Sequence, residues 1–207
     1  MQRELPKGAF ITENKMTVKH GDSFSMSIFD FALKGKHNQY NSMAAAVAGS
    51  VVGIRKDKIR DAVASFESLE HRMEKVATVR GIDFINDSKA TNVNSTWYAL
   101  ESMDKPVTLI LGGVDKGNDY ELIKEMVLEK VKTIVCLGSD NSKIHQAFDG
   151  VVEKILDTNS AKDAVKSAYE NSKKGDVVLL SPACASFDLF KNYEDRGQQF
   201  KNAVREL

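Results

Sequence analysis

Residues Asn86-Asp87-Ser88-Lys89-Ala90-Thr91-Asn92 gather an acid, a base, hydroxyls and amides within one short stretch. Before them lies Gly81-Ile82-Asp83-Phe84-Ile85, of strand composition. After them, Val93, Trp97 and Leu100 recur at helical spacing. The polar residues therefore sit on a turn from the C-terminal end of a strand to the N-terminus of a helix. Ligands bind at such turns in an open α/β sheet, because helix amides and the helix dipole point there. The plainer reading is a helix start capped by Thr91 or Asn92, with the charges merely solvated.

Two more loops at strand ends carry informative chemistry. Gly112-Gly113-Val114-Asp115-Lys116-Gly117 combines close backbone approach with a lysine that can meet an anion, or that is simply a solvated loop lysine. Ser181-Pro182-Ala183-Cys184-Ala185-Ser186 ends with a serine expected to begin the last helix. There Ser186 acts as a cap, and the nearby amides can also receive a carboxylate. Strand ends of a parallel sheet open onto one edge, so the three loops can converge. Upstream, Arg72 of the His71-Arg72 pair can reach a phosphate held at a domain junction, or the pair is a surface feature. Asn38 and Asn41, spaced i, i+3 on one helix face, can read a purine edge or cap that helix. No Ser-His-Asp or Cys-His arrangement is suggested, and the string Gly-x-x-x-x-Gly-Lys-Ser/Thr is absent.

The elements that must position these residues change character along the chain. Up to residue 35 the pattern is of short strands: 10–12 and 16–18 about a hairpin connection at Glu13-Asn14-Lys15, then 25–29. Gly35 to Asn41 opens a helix that runs from Met43 to Val52, and a second covers Lys56 to Phe66 with Ile59, Val63 and Phe66 on one face. No complete α/β repeat occurs here, which suggests the tail of a domain. From residue 81 strands and helices alternate. Strands are expected at 107–111, 131–137, 154–156 and 177–180, with helices at 120–128, 142–148 and 160–172. Phe187 to Leu207 reads as helical with a break near Arg196-Gly197. The fold class is α/β: a Rossmann-like, mostly parallel sheet with helices on both faces.

Twenty-nine basic and 29 acidic residues cancel, giving no footprint for nucleic acid or an anionic membrane. No apolar run spans a bilayer, and Met1-Gln2-Arg3-Glu4-Leu5-Pro6 lacks a hydrophobic signal region. Cys136 and Cys184 have no metal-like spacing, so buried free thiols and a cytoplasmic location are expected.

Five strings together resemble a known family. They are 35–41 (GKHNQYN), 71–74 (HRME), 86–92 (NDSKATN), 111–117 (LGGVDKG) and 180–188 (LSPACASFD). The chain resembles the C-terminal portion of the Mur ligases, specifically the member that adds D-glutamate. The resemblance implies that residues 1–70 are the incomplete C-terminal part of a central ATP-binding domain and 71–207 a Rossmann-like, glutamate-binding domain. It implies an enzyme that activates the carboxylate of UDP-N-acetylmuramoyl-L-alanine with ATP and Mg2+, as an acyl phosphate, for attack by the amine of D-glutamate. Acyl-phosphate chemistry needs charge neutralisation and positioning rather than a protein nucleophile.

By the same resemblance Asn38 and Asn41 contact adenine, Asp87 the ribose and Arg72 the phosphates, with His71 near the metal and phosphate region. Lys116 and Thr91 hold one carboxylate of D-glutamate; Ser186 and the backbone amide of Tyr193 hold the other. Lys89 supports nucleotide or glutamate. The phosphate loop and main metal ligands fall outside these residues, so this chain alone is expected to be inactive, and the complete enzyme to be monomeric. The alternatives are a fragment of a folylpolyglutamate synthase-like ligase and a non-catalytic Rossmann-like binding module.

Overall fold

A computed structural model describes residues 5–32, 35–66 and 69–207, without the side chains of 36 and 37. The expectation for residues 1–4, and part of that for the 35–41 string, lie outside the described residues. The chain divides into two compact units, Met1–Ser68 and Leu69–Leu207.

In the first unit, β1 (Gly8–Thr12), β2 (Lys15–Lys19) and β3 (Phe24–Ser27) form an antiparallel sheet in that order. Glu13 and Asn14 both adopt positive φ, 50° and 60°. A two-residue hairpin loop needs that conformation to match the twist of its strands. The third strand stops two residues short of the expected 29, because Ile28–Asp30 coils into a 3-10 turn capped by Ser27. Helices α1 (Lys36–Val51) and α2 (Lys56–Ser65) follow. Met16, Val18, Phe24, Met26, Phe31, Met43, Ala46 and Ile59 form the core. Of the apolar face expected on α2, Ile59 is buried, whereas Phe66 lies just past the helix and is exposed.

The second unit holds a six-stranded sheet. Its strands are β4 (Glu74–Val79), β5 (Ile82–Asn86), β6 (Val107–Leu111), β7 (Val131–Leu137), β8 (Lys154–Thr158) and β9 (Val177–Leu180). The order is β4-β5-β9-β6-β7-β8, parallel throughout except for β4, which runs antiparallel along one edge. Strand β4 is an addition to the expected pattern; its register shifts between Lys75 and Ala77, and this breaks the alternation that would mark it.

Helices α3 (Val93–Glu101), α4 (Glu121–Lys130) and α5 (Ser142–Phe148) pack on one face with Leu109, Leu111, Ile134 and Leu179. On the other face α6 (Ala161–Glu170) and α7 (Tyr193–Arg205) pack against Ile110, Val135, Val178 and Leu180. Both faces are covered, which is why β6 and β9 are buried at every position.

Helix α7 corrects two expectations. It begins at Tyr193, capped by Asn192, so Ser186 precedes a turn and not a helix. Leu189 and Phe190 donate their amides to the Ser186 carbonyl within that turn. Nor does the helix break at Arg196-Gly197; both residues are buried within it.

Candidate functional site

Strand β9 lies between β5 and β6, so the loops after these three strands are neighbours at one edge of the sheet. The chain leaves β5 and β6 for helices on one face, and leaves β9 for α7 on the other. A crevice forms where adjacent connections part in this way.

Backbone contacts fix the loops to one another. Asp87 donates its amide to Leu180 O at 2.8 Å, and Gly112 donates to Pro182 O at 3.0 Å. Val114 and Ala185 exchange bridge hydrogen bonds of 2.8 and 3.3 Å. That close approach requires glycine at 113, where φ is +127° and a Cβ would collide with the Ala185 carbonyl. Lys116 thus stands two residues beyond one side of the bridge, and Ser186 one residue beyond the other.

Arg196 ties the second pair of loops. Its guanidinium donates to Ser88 Oγ (3.0 Å), Ser88 O (2.9 Å) and Cys184 O (3.1 and 3.2 Å), and it is fully buried. Burial lowers its pKa to about 10, against the opposing pull of Cys184 and Asp188. Ser88 Oγ in turn donates to Tyr193 O at 2.7 Å. Sequence reasoning missed Arg196, reading its glycine neighbour as a helix break. The available signal was its place on the apolar face of α7, with Phe200, Ala203 and Val204 at i+4, i+7 and i+8.

The Asp87 carboxylate faces inward. Oδ1 accepts from Met73 N (3.2 Å) and Oδ2 from Ser181 Oγ (3.0 Å), and the residue is 5% exposed. Desolvation pushes its pKa up to about 7, against the hydrogen bonds of Ser181 and Met73. Each carboxylate oxygen thus accepts one hydrogen bond, Oδ1 from the segment before β4 and Oδ2 from the loop after β9.

His71 is buried, with Nδ1 2.9 Å from Asn86 Nδ2. A Cβ on Gly197 would collide with its ring. Its carbonyl accepts from Lys89 N at 3.0 Å. Exposed Arg72 sits between His71 and Met73, which have positive φ of 63° and 47°, so the backbone strain concentrates where Arg72 is presented. Beneath them Lys201 reaches Glu70 and Glu74 at 2.7 Å each. Burial opposes its charge, but the two carboxylates hold the ammonium above the ordinary lysine range.

Lys89 donates to Tyr193 Oη at 2.9 Å and lies over the Tyr193 ring. Asn92, not Thr91, caps α3, accepting from Ser95 N at 2.9 Å. Thr91 is left half-buried beside that cap. The Gly113 to Asn118 turn is held by Asp115, whose Oδ1 accepts from Gly117 N (2.7 Å), Asn118 N (3.1 Å) and Lys143 Nζ (2.8 Å). Lys116 projects from this turn, exposed and with no hydrogen bond or ion pair among the described residues. The Ser186 hydroxyl and the Tyr193 amide likewise have no partner among those residues.

The structure therefore gathers His71, Arg72, Asp87, Lys89, Thr91, Lys116, Ser186 and Tyr193 on one edge of the second unit. Asn38 and Asn41 belong to α1 of the first, at the i, i+3 spacing of one helix face. Asn38 is buried and engaged, whereas Asn41 is exposed.

A doubly covered sheet with three joined loops at its switch point defines a ligand-binding α/β domain. Residues 71–184 match the family described as Mur ligase, glutamate ligase domain, and the chain belongs to that family. It is 53% identical to the UDP-N-acetylmuramoylalanine–D-glutamate ligase of Christiangramia forsetii, over all of this chain and 47% of the relative. Against the ligase of the same name from Bacteroides fragilis the identity is 54%, over 96% of this chain and 45% of the relative. The chain spans about half the length of the curated relatives it matches. A pseudomurein peptide ligase type C from Methanothermus fervidus shares the fold with a TM-score of 0.69 and 18% identity, over 99% of this chain and 42% of that one. Among the described residues no helix is long and apolar enough to cross a membrane.

Proposed function

We propose that this chain is the C-terminal part of an ATP-dependent ligase that adds D-glutamate to UDP-N-acetylmuramoyl-L-alanine. Residues 71–207 bind D-glutamate, and 1–70 end the ATP-binding domain. The observation that carries this reading is the set of partnerless donors at one strand edge: Lys116 Nζ, Ser186 Oγ and Tyr193 N. A dicarboxylate amino acid needs two separated anion sites, and a strand-end lysine with a hydroxyl and a helix amide supplies both. Identity above 50% to ligases of that name, running the length of the chain, supports the same substrate class. It also disfavours a folylpolyglutamate synthase-like ligase or a non-catalytic module.

Towards a nucleotide, Arg72 offers an exposed guanidinium to phosphate, and the Asp87 carboxylate, with one hydrogen bond on each oxygen, keeps acceptor capacity for a hydroxyl. ATP would supply the phosphoryl group that activates the acceptor carboxylate, and Mg2+ would neutralise its oxygens. This chain's part is to hold and orient: Lys116 and Thr91 on one glutamate carboxylate, Ser186 and the Tyr193 amide on the other, and Lys89 beside Tyr193. His71 and Asn86 keep that edge in place from below. The complete enzyme is expected to be cytoplasmic and monomeric.

Titrating the isotopically labelled chain with D-glutamate tests the reading. Shifts at the amides of Lys116, Ser186 and Tyr193 that L-glutamate fails to reproduce are expected. Equal responses to both enantiomers, or shifts confined to other loops, would overturn it.

A further inference from the structure

Away from that edge, three side chains of different donor chemistry meet between the last two strands of the sheet. Cys136 on β7 and Asp157 on β8 are register partners, so they leave the same face of the sheet. His145 comes from α5, the helix that joins those two strands. Its Nε2 lies 3.2 and 3.1 Å from the two oxygens of Asp157. The Cys136 sulfur, an imidazole nitrogen and an Asp157 oxygen all lie within 4.8 Å of one another.

We propose that Cys136, His145 and Asp157 form a binding site for one divalent ion of the zinc class. Thiolate, imidazole and carboxylate together are the donors that zinc takes, and a set that calcium or magnesium does not. Zinc bond lengths place the donors of a tetrahedral site about 3.3–3.7 Å apart, so the imidazole and carboxylate would part slightly while the sulfur, within 4.8 Å of both, draws in.

The surroundings suit such a site. Asp149 Oδ1 stands 3.4 Å from the other ring nitrogen of His145, the carboxylate–imidazole arrangement that orients a metal-bound histidine. Asn141 Nδ2 holds an Asp157 oxygen at 2.9 Å. Cys136 is fully buried while the side chains of His145 and Asp157 are 34% and 58% exposed, so the trio runs from core to surface. It opens onto a cavity of about 600 Å³, which leaves a fourth position for water. Without an ion, His145 pairs with the two carboxylates; an ion would displace to solvent the Cys136 thiol proton and any proton on the imidazole nitrogen it binds. Bound there, it would cross-link β7, α5 and the edge strand β8.

The test is cobalt titration of the reduced, tag-free chain, with Co2+ standing in for Zn2+. One equivalent is expected to give an intense near-ultraviolet thiolate-to-cobalt band and visible ligand-field bands, both abolished by one equivalent of Zn2+. Cys136→Ala should lose the near-ultraviolet band. His145→Gln, changed at a partly exposed position that does not endanger folding, should weaken Co2+ binding at least tenfold. A wild-type chain that shows no thiolate band at stoichiometric Co2+ overturns the proposal. So does a band that persists in Cys136→Ala, or unchanged affinity in His145→Gln.

Discussion

The two compact units bury their apolar residues by different geometries. In Met1–Ser68 an antiparallel sheet alternates buried and half-exposed positions, and eight buried residues make its core among those described. In Leu69–Leu207 a parallel sheet is covered on both faces, and its two cores hold eighteen and fifteen buried residues. β2 is the only strand of the first sheet with two neighbours among the described residues, whereas four of six are flanked in the second. Burial on both faces lets a strand hold its loop rigidly, and the candidate ligand edge grows from such strands. Where one face is open, stability depends on a few residues, and opening is correspondingly easy.

Hydrogen exchange is the sharpest way to break this contrast. Amides of β6, β7 and β9 should exchange orders of magnitude more slowly than those of β1 to β3, because only the former open with the global transition. Equal protection in the two sheets would show that they open together and would end the distinction.

Arg196→Ala comes next. It removes a fully buried side chain and strands the acceptors on Ser88 and Cys184, a loss of roughly 3–5 kcal/mol. Urea unfolding should show the loss in the Leu69–Leu207 unit, leaving β1 to β3 unaffected. A loss shared by both would contradict the division.

Asp87 predicts a pH dependence confined to the same unit. Its folded pKa, raised to about 7, lies above the ordinary carboxylate value, so the folded state retains the proton longer than the unfolded chain. This contribution is fully present below about pH 4 and is lost as pH rises through 7, a change on the order of 4 kcal/mol. In Asp87→Asn the decline in stability between those values should flatten. An unaltered profile would mean that the carboxylate ionises freely where it lies.

The smallest effect concerns binding alone. In the complete ligase, Lys116→Ala should raise the KM for D-glutamate roughly ten- to a hundredfold, the worth of a charged hydrogen bond of about 1.5–3 kcal/mol. The KM for ATP should hardly move, while Arg72→Ala should show the reverse selectivity. Steady-state kinetics with each substrate varied in turn decides both.

What was legible in the sequence follows the same contrast. Strands β6 and β7 and helix α5 begin and end where periodicity places them, because continuous apolar runs between turn residues leave little choice. Strand β4 was not legible: it is an edge with a register shift, so its half-buried positions have no period. The three loops could be identified as neighbours, but not what joins them. Arg196 looks like any helix charge until α7 is folded against the sheet. The hydrogen bond from the amide of Met73, fourteen residues upstream, to the Asp87 carboxylate was equally hidden. Both contacts are ones that local spacing does not encode.

The position of β9 has a consequence for how the molecule is made. This strand follows the other five strands of its sheet in sequence yet lies between β5 and β6. A ribosome adding about 5–20 residues per second needs on the order of 5–20 s to extend the chain from Asn86 to Leu180. Until β9 emerges, the nascent β5 and, once made, β6 cannot be joined through their shared neighbour, and each presents an unpaired edge. Chaperone demand should therefore last until β9 has emerged. A polypeptide released before Leu180 would display open strands to proteases, so truncated products should be cleared rather than accumulate as partly competent binders.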